Sequence, residues 1–135
     1  GAGTGGAMNG KDHVTDLGMN PVGFVNGEYV VELQLEQRHL NIGGIAHGGI
    51  YCSLLDTAMA RSFIKSVSEE GLPAVTLEMK VNFLGAASQG TLKAIGRVAA
   101  KTRRTVLVEG RVENEEGRML ARGTATMMIR SVSKK

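Results

Sequence analysis

NIGGIAHGGIYCSLLDTAMARSFIKSV, residues 41–67, decides how the rest of the chain is read. Its first part is loop-like, with Asn41, Gly43 and Gly44 close together. From Gly48 onward the character changes. Ile50, Leu54, Ala58, Met59, Phe63 and Val67 recur at three- or four-residue steps, the spacing of one apolar helix face. The pattern predicts a helix from 48 to about 67, stopped by Gly71-Leu72-Pro73. A second face carries Gly49, Cys52, Ser53, Asp56 and Ala60, all small apart from the aspartate. Small residues let another chain or another element come close. Asp56 therefore stands mid-helix in an apolar stretch, where a core-facing charge is costly unless paired or used. Gly48-Gly49 stands at the helix start, where unsatisfied N–H groups favour a developing negative charge.

Outward from this helix the chain reads as strands. Before it, Tyr29-Val30-Val31-Glu32-Leu33-Gln34-Leu35-Glu36 alternates and predicts a half-buried strand over about 28–37. Residues 14–26, with Gly18, Pro21 and Gly23, read as irregular with a short helical turn. After the helix come runs at 74–84, 90–100, 104–113 and 118–129. In the first, Val75, Leu77, Met79, Val81 and Phe83 share a face. Asn114-Glu115-Glu116-Gly117 reads as a hairpin turn, residues 86–90 as a looser one, and Lys101-Thr102-Arg103 as a basic turn. Short links imply antiparallel pairing in a meander. The result is an α+β chain, with about five antiparallel strands and one helix of roughly 27 Å lying across them.

Composition narrows the class. The length fits one domain with a workable core, spanning 14–130. Residues 1–13 are Gly-rich and read as a flexible tail or cloning remnant, and 131–135 as a fraying end. The net charge is +3, with no Trp, two Tyr and three Phe, so an aromatic surface for nucleic acid is not expected. No run reaches the length of a membrane span. Cys52 is the single cysteine, which excludes an internal disulfide and fits a reducing, cytoplasmic setting. It reads as a small buried packing residue. Three scattered histidines give no metal site. Met59, Phe63, Leu84 and Met128 read as core filling.

Each candidate residue has a plain alternative. Asp56 could be an exposed partner of Lys or Arg, Gly48-Gly49 a tight helix entry, Asn41 a turn residue and His47 a loop hydrogen-bonder. Their combination points to acyl chemistry: Asp56 as nucleophile or general base, and the Gly48 N–H as donor to an oxyanion.

The order of elements, with Asn41 six residues before His47-Gly48-Gly49 and Asp56 nine after His47, resembles the hotdog-fold acyl-CoA thioesterases. The likeness is to the phenylacetate-pathway (PaaI-like) and thioesterase-superfamily branch, and it covers roughly 20–130. Gly71-Leu72-Pro73-Ala74-Val75-Thr76-Leu77-Glu78-Met79 is similar to that branch's next strand. The resemblance implies a hotdog fold, with the sheet wrapped around a central helix. It implies dimers whose sheets join, pairing again into tetramers. It implies a site between subunits, with Asp56 of one chain facing Asn41 and Gly48 of the other. Asn41 would position water or substrate, His47 would support the loop, and Thr76 would stand near the carboxylate. Coenzyme A would be part of the substrate, and no separate cofactor would be needed.

Lys101, Arg103 and Arg104 form a basic cluster that suits the phosphates of a CoA nucleotide, or serves only as a solvated turn. Two other functions compete with thioester hydrolysis. A hotdog hydratase or dehydratase would use a different His–carboxylate pattern. A non-catalytic acyl-CoA-binding module would bind without turnover.

Overall fold

The periodicity around Gly48 translates directly into structure. A computed structural model, which describes residues 17–67 and 74–129, contains a long helix α1, Gly48–Val67. The strands are β1 (Asn20–Val25), β2 (Glu28–Gln34), β3 (Ala74–Phe83), β4 (Thr91–Lys101), β5 (Thr105–Glu113) and β6 (Met119–Ile129). They form one antiparallel sheet in the order β1-β2-β4-β5-β6-β3. The expected terminal tails and the Gly71-Leu72-Pro73 stop lie outside the described residues.

The helix buries the face that its sequence marks. Ile50, Leu54, Leu55, Ala58, Met59 and Phe63 are buried against Val31, Leu33, Leu92, Ala94, Val106, Val108 and Leu120 of the sheet. Each fully buried large apolar side chain contributes about 1.5–3 kcal/mol. Met59 and Phe63 are core, as expected, whereas Leu84 and Met128 are exposed. Leu84 follows the end of β3, and Met128 lies on the face of β6 opposite to that of the buried Met127.

Three expectations are corrected. The sheet has six strands rather than five, because residues 20–25 pair with β2. The turn is Asn26-Gly27, with φ of 52° and 83°, the left-handed pair that a tight hairpin requires. Pro21 is tolerated because β1 is an edge strand with an irregular register at Pro21/Gly23. The strand expected over 28–37 ends at Gln34, where a short 3-10 turn at Gln37–His39 takes over. Finally, β3 is not part of the meander. It pairs with β6 at the far edge, so residues 84–90 cross the sheet instead of making a hairpin. That crossing is tied down by Leu84 and Gly85 N–H groups donating to the Leu120 carbonyl, at 2.8 and 3.1 Å. The two other links, at Thr102–Thr105 and Asn114–Arg118, are hairpins.

Candidate active site

Two ends of the site are built by different parts of the chain. The first is the loop before α1. Asn41 closes it: its N–H donates to the Ile45 carbonyl at 2.8 Å, its carbonyl accepts from Gly44 N–H at 2.9 Å, and its side-chain oxygen accepts from Ile45 N–H at 3.3 Å. Gly44 takes the left-handed conformation, φ 83°, that this turn needs. His47 enters the helix by backbone contacts. Its N–H donates to the His39 carbonyl at 3.0 Å, and its own carbonyl accepts from Ile50 N–H at 2.9 Å. The His47 side chain is exposed, as is Gly48 behind it.

The loop rests on a residue the sequence did not single out. His39 is buried. Glu36 N–H donates to its Nδ1 at 2.9 Å, which leaves the ring proton on Nε2 to be donated to the Leu17 carbonyl at 2.7 Å. His39 thus links the chain before β1 to the turn that carries Asn41. Its only sequence signal is Glu36, whose side chain caps the same 3-10 turn.

The second end is an open cleft of about 430 Å³ between α1 and β3, lined by Cys52, Ser53, Asp56, Met79 and Val81. Asp56 is exposed, on the small-residue face that stands apart from the apolar one. That face of α1 looks toward the open β3 edge of the sheet, so the carboxylate meets solvent in the single chain. Cys52 is half-buried on the cleft wall and not a packing residue of the core. Met79 and Val81 were legible as one face of β3, but their place opposite Asp56 follows only from β3 lying at the edge.

The two ends do not meet within one chain. Gly48 and Asp56 lie on the same helix, eight residues apart, so about 12 Å separates them along its axis. At the Gly48 end the ring of Phe83 lies beside the glycine: a Cβ there would stand 3.6 Å from Phe83 Cζ. Phe83 leans on Tyr51, with ring centroids 6.1 Å apart. Tyr51 is buried, and burial pushes its phenol above the ordinary range, with the Ala87 backbone drawing it partly back.

Lys101, Arg103 and Arg104 are exposed at the β4–β5 turn. In the sheet register this turn lies level with Met127 and Thr76, whereas Phe83 and Gly48 lie level with Ala121. The basic turn and Gly48 of one chain are therefore at opposite ends. Thr76 is in β3, with its side chain outside the described residues. Among the described residues, no three His, Cys, Asp or Glu side chains converge as metal ligands, and no helix is long and apolar enough to cross a membrane.

A loop closed by an asparagine, a glycine helix entry and a helix carboxylate facing an edge strand can be compared with known proteins. The thioesterase superfamily model matches residues 43–121. The chain belongs to the thioesterase superfamily. Among solved structures it is similar to a conserved protein of Pseudomonas aeruginosa, with 30% identity over 87% of this chain and 93% of that one, at a TM-score of 0.80. It is also similar to a mutant of the phenylacetic acid degradation protein PaaI of Thermus thermophilus, with 26% identity over 87% and 98% of the two chains and a TM-score of 0.77. Acyl-coenzyme A thioesterase 13 of Homo sapiens is 28% identical over 47% of this chain and 44% of its own length. With these relatives, the helix-and-sheet arrangement is the hotdog fold, and the chain is a thioester hydrolase of the PaaI-like kind.

Proposed function

We propose that the protein hydrolyses acyl-CoA thioesters at a site shared by two copies of the chain. The observation that carries this reading is the separation of Gly48 from Asp56 along one helix. A thioester carbonyl is too small to touch both across about 12 Å. Asp56 of one chain and Gly48 of another can converge on it. The exposure of Asp56 in a cleft at the sheet edge supports this, as does the exposure of Gly48 at the open helix end.

In the reaction, the Gly48 N–H donates to the thioester oxygen as it becomes negative, and the helix dipole adds to the effect. Two paths are open to Asp56. As general base it takes a proton from water while the water oxygen bonds to the carbonyl carbon. As nucleophile it attacks that carbon itself, and water then opens the anhydride. In either path the C–S bond breaks, the thiolate leaves and takes up a proton, and the acid is released. Asn41 and the His47 backbone hold the loop in place, and Thr76 stands on the strand beside the cleft.

Lys101, Arg103 and Arg104 would hold the CoA phosphates as charge-assisted donors. The name of the human relative supports coenzyme A as the thiol.

The test is turnover on a panel of short, medium, long and aryl acyl-CoAs, read by thiol trapping, for wild type beside Asp56→Asn. Activity lost in a folded variant supports the reading. Near-wild-type turnover removes Asp56 from the reaction. A folded wild type that binds acyl-CoA without turnover makes it a binding module.

A further inference from the structure

We infer that Phe83 of one chain forms a wall of the cleft that holds the other chain's Asp56, and so selects the acyl group there; this rests on the shared-site reading above.

The first step is which edge of the sheet accepts a second copy. The two edges differ. β1 carries Pro21 and an irregular register, features that blunt an edge against pairing. β3 is ten residues long, contains no proline and, among the described residues, pairs only with β6. Its outer N–H and C=O groups are a template for another strand.

The second step is register. Helix α1 runs opposite to β3: Phe83 touches the position of Gly48, and Met79 and Val81 face Asp56. Four residues of strand cover about 13 Å, close to the helical distance from Gly48 to Asp56. A two-fold antiparallel pairing of β3 with its copy must bring the level of Phe83 in one chain to the level of Met79 and Val81 in the other. Only a centre at Val81 or Asn82 does so. Centred on Val81, Phe83 stands opposite the partner's Met79. Centred on Asn82, it stands opposite the partner's Val81. Residues directly opposite in an antiparallel pair share a face, so in both cases the ring enters the partner's cleft. A centre at Met79 would set Glu78 opposite the partner's Lys80 but would leave Gly48 far from the partner's Asp56.

The third step is what the ring does. Phe83 is 54% exposed in the single chain. An aromatic ring held on both sides of a shared site, beside Gly48 and against the neighbouring cleft, limits the bulk allowed beside the thioester carbonyl.

The test uses two-tag purified mixed dimers. Phe83→Ala homodimers should raise the ratio of kcat/KM for benzoyl-CoA over acetyl-CoA about tenfold or more, as removing pocket bulk does. Phe83→Leu, which keeps an apolar side chain, should give a smaller rise in the same direction and serves if the alanine variant does not fold. A mixed dimer of an Asp56→Asn chain with a Phe83→Ala chain keeps one live Asp56, and that site is walled by the wild-type Phe83 of the other chain. Its ratio should be that of wild type. An altered ratio in the mixed dimer, or an unchanged ratio in the homodimers, overturns the assignment. The shared site itself is read separately by mixing Asp56→Asn with Gly48→Pro chains. Recovery of turnover there, with an altered ratio here, rejects Phe83 and leaves the shared site standing. No recovery there rejects both.

Discussion

Gly96 of β4 stands opposite Gly110 of β5, and α1 lies so close that a Cβ on Gly96 would come 2.5 Å from the Ala58 carbonyl oxygen. Gly110 in turn pairs with Gly123 of β6. The three glycines form a row across the sheet that lets the helix settle on it. The helix in turn sets where Asp56 meets β3.

The row gives a ranked stability prediction. At Gly96 the obstacle is helix backbone, which cannot move alone. At Gly110 it is the Met59 side chain, with Cγ 2.9 Å from the Cβ position, and methionine adapts. Gly96→Ala should cost more than Gly110→Ala, with overpacking costs of about 1–3 kcal/mol as the scale. Thermal or urea unfolding checks the order. Equal losses would mean that the helix shifts as a unit.

His39 should matter for stability and, through the loop, for turnover. Its ring accepts from Glu36 and donates to Leu17 within a buried setting. His39→Ala removes both part-buried hydrogen bonds, each worth about 0.5–1.5 kcal/mol net. The expected result is a lower melting temperature together with reduced kcat, as the Asn41–His47 loop loses its anchor. Unchanged stability would remove His39 from this role.

The basic turn offers a kinetic test. Replacing Lys101, Arg103 and Arg104 together by Ala should raise KM for CoA esters, while thioesters of a short thiol lacking the nucleotide stay unchanged. The three side chains are exposed, so the fold should be retained. Equal effects on both substrate types would place the nucleotide elsewhere.

Much of this was legible in residues 41–67. The helix from 48 to 67 was readable because its apolar spacing is matched by one buried face, and the four later strands were readable from alternation. The pairing of β3 was not readable. Strand alternation reports burial and says nothing about which neighbour a strand finds, and the link at 84–90 is short enough to suggest a hairpin. β1 was missed because Gly18, Pro21 and Gly23 outweighed Asn26-Gly27, a strong local turn signal. At the site, the spacing of Asn41, His47 and Asp56 identified the candidates. The small-residue face set Asp56 apart from the core, but that it would look onto Met79 and Val81 depended on where β3 pairs. His39 and Phe83 were invisible for the same reason: their roles depend on partners far away in sequence.

The central claim is that Asp56 and Gly48 act from different chains. Asp56→Asn disables one half of the site. Gly48→Pro removes the donor N–H, while proline at the first helical position keeps the helix. Each variant alone should be inactive. In a two-fold dimer, a mixed pair has one site with both lesions and one with neither. Turnover measured on purified mixed dimers should therefore return. If the mixed dimers are as inactive as the parents, both groups act within one chain and the shared-site account is wrong.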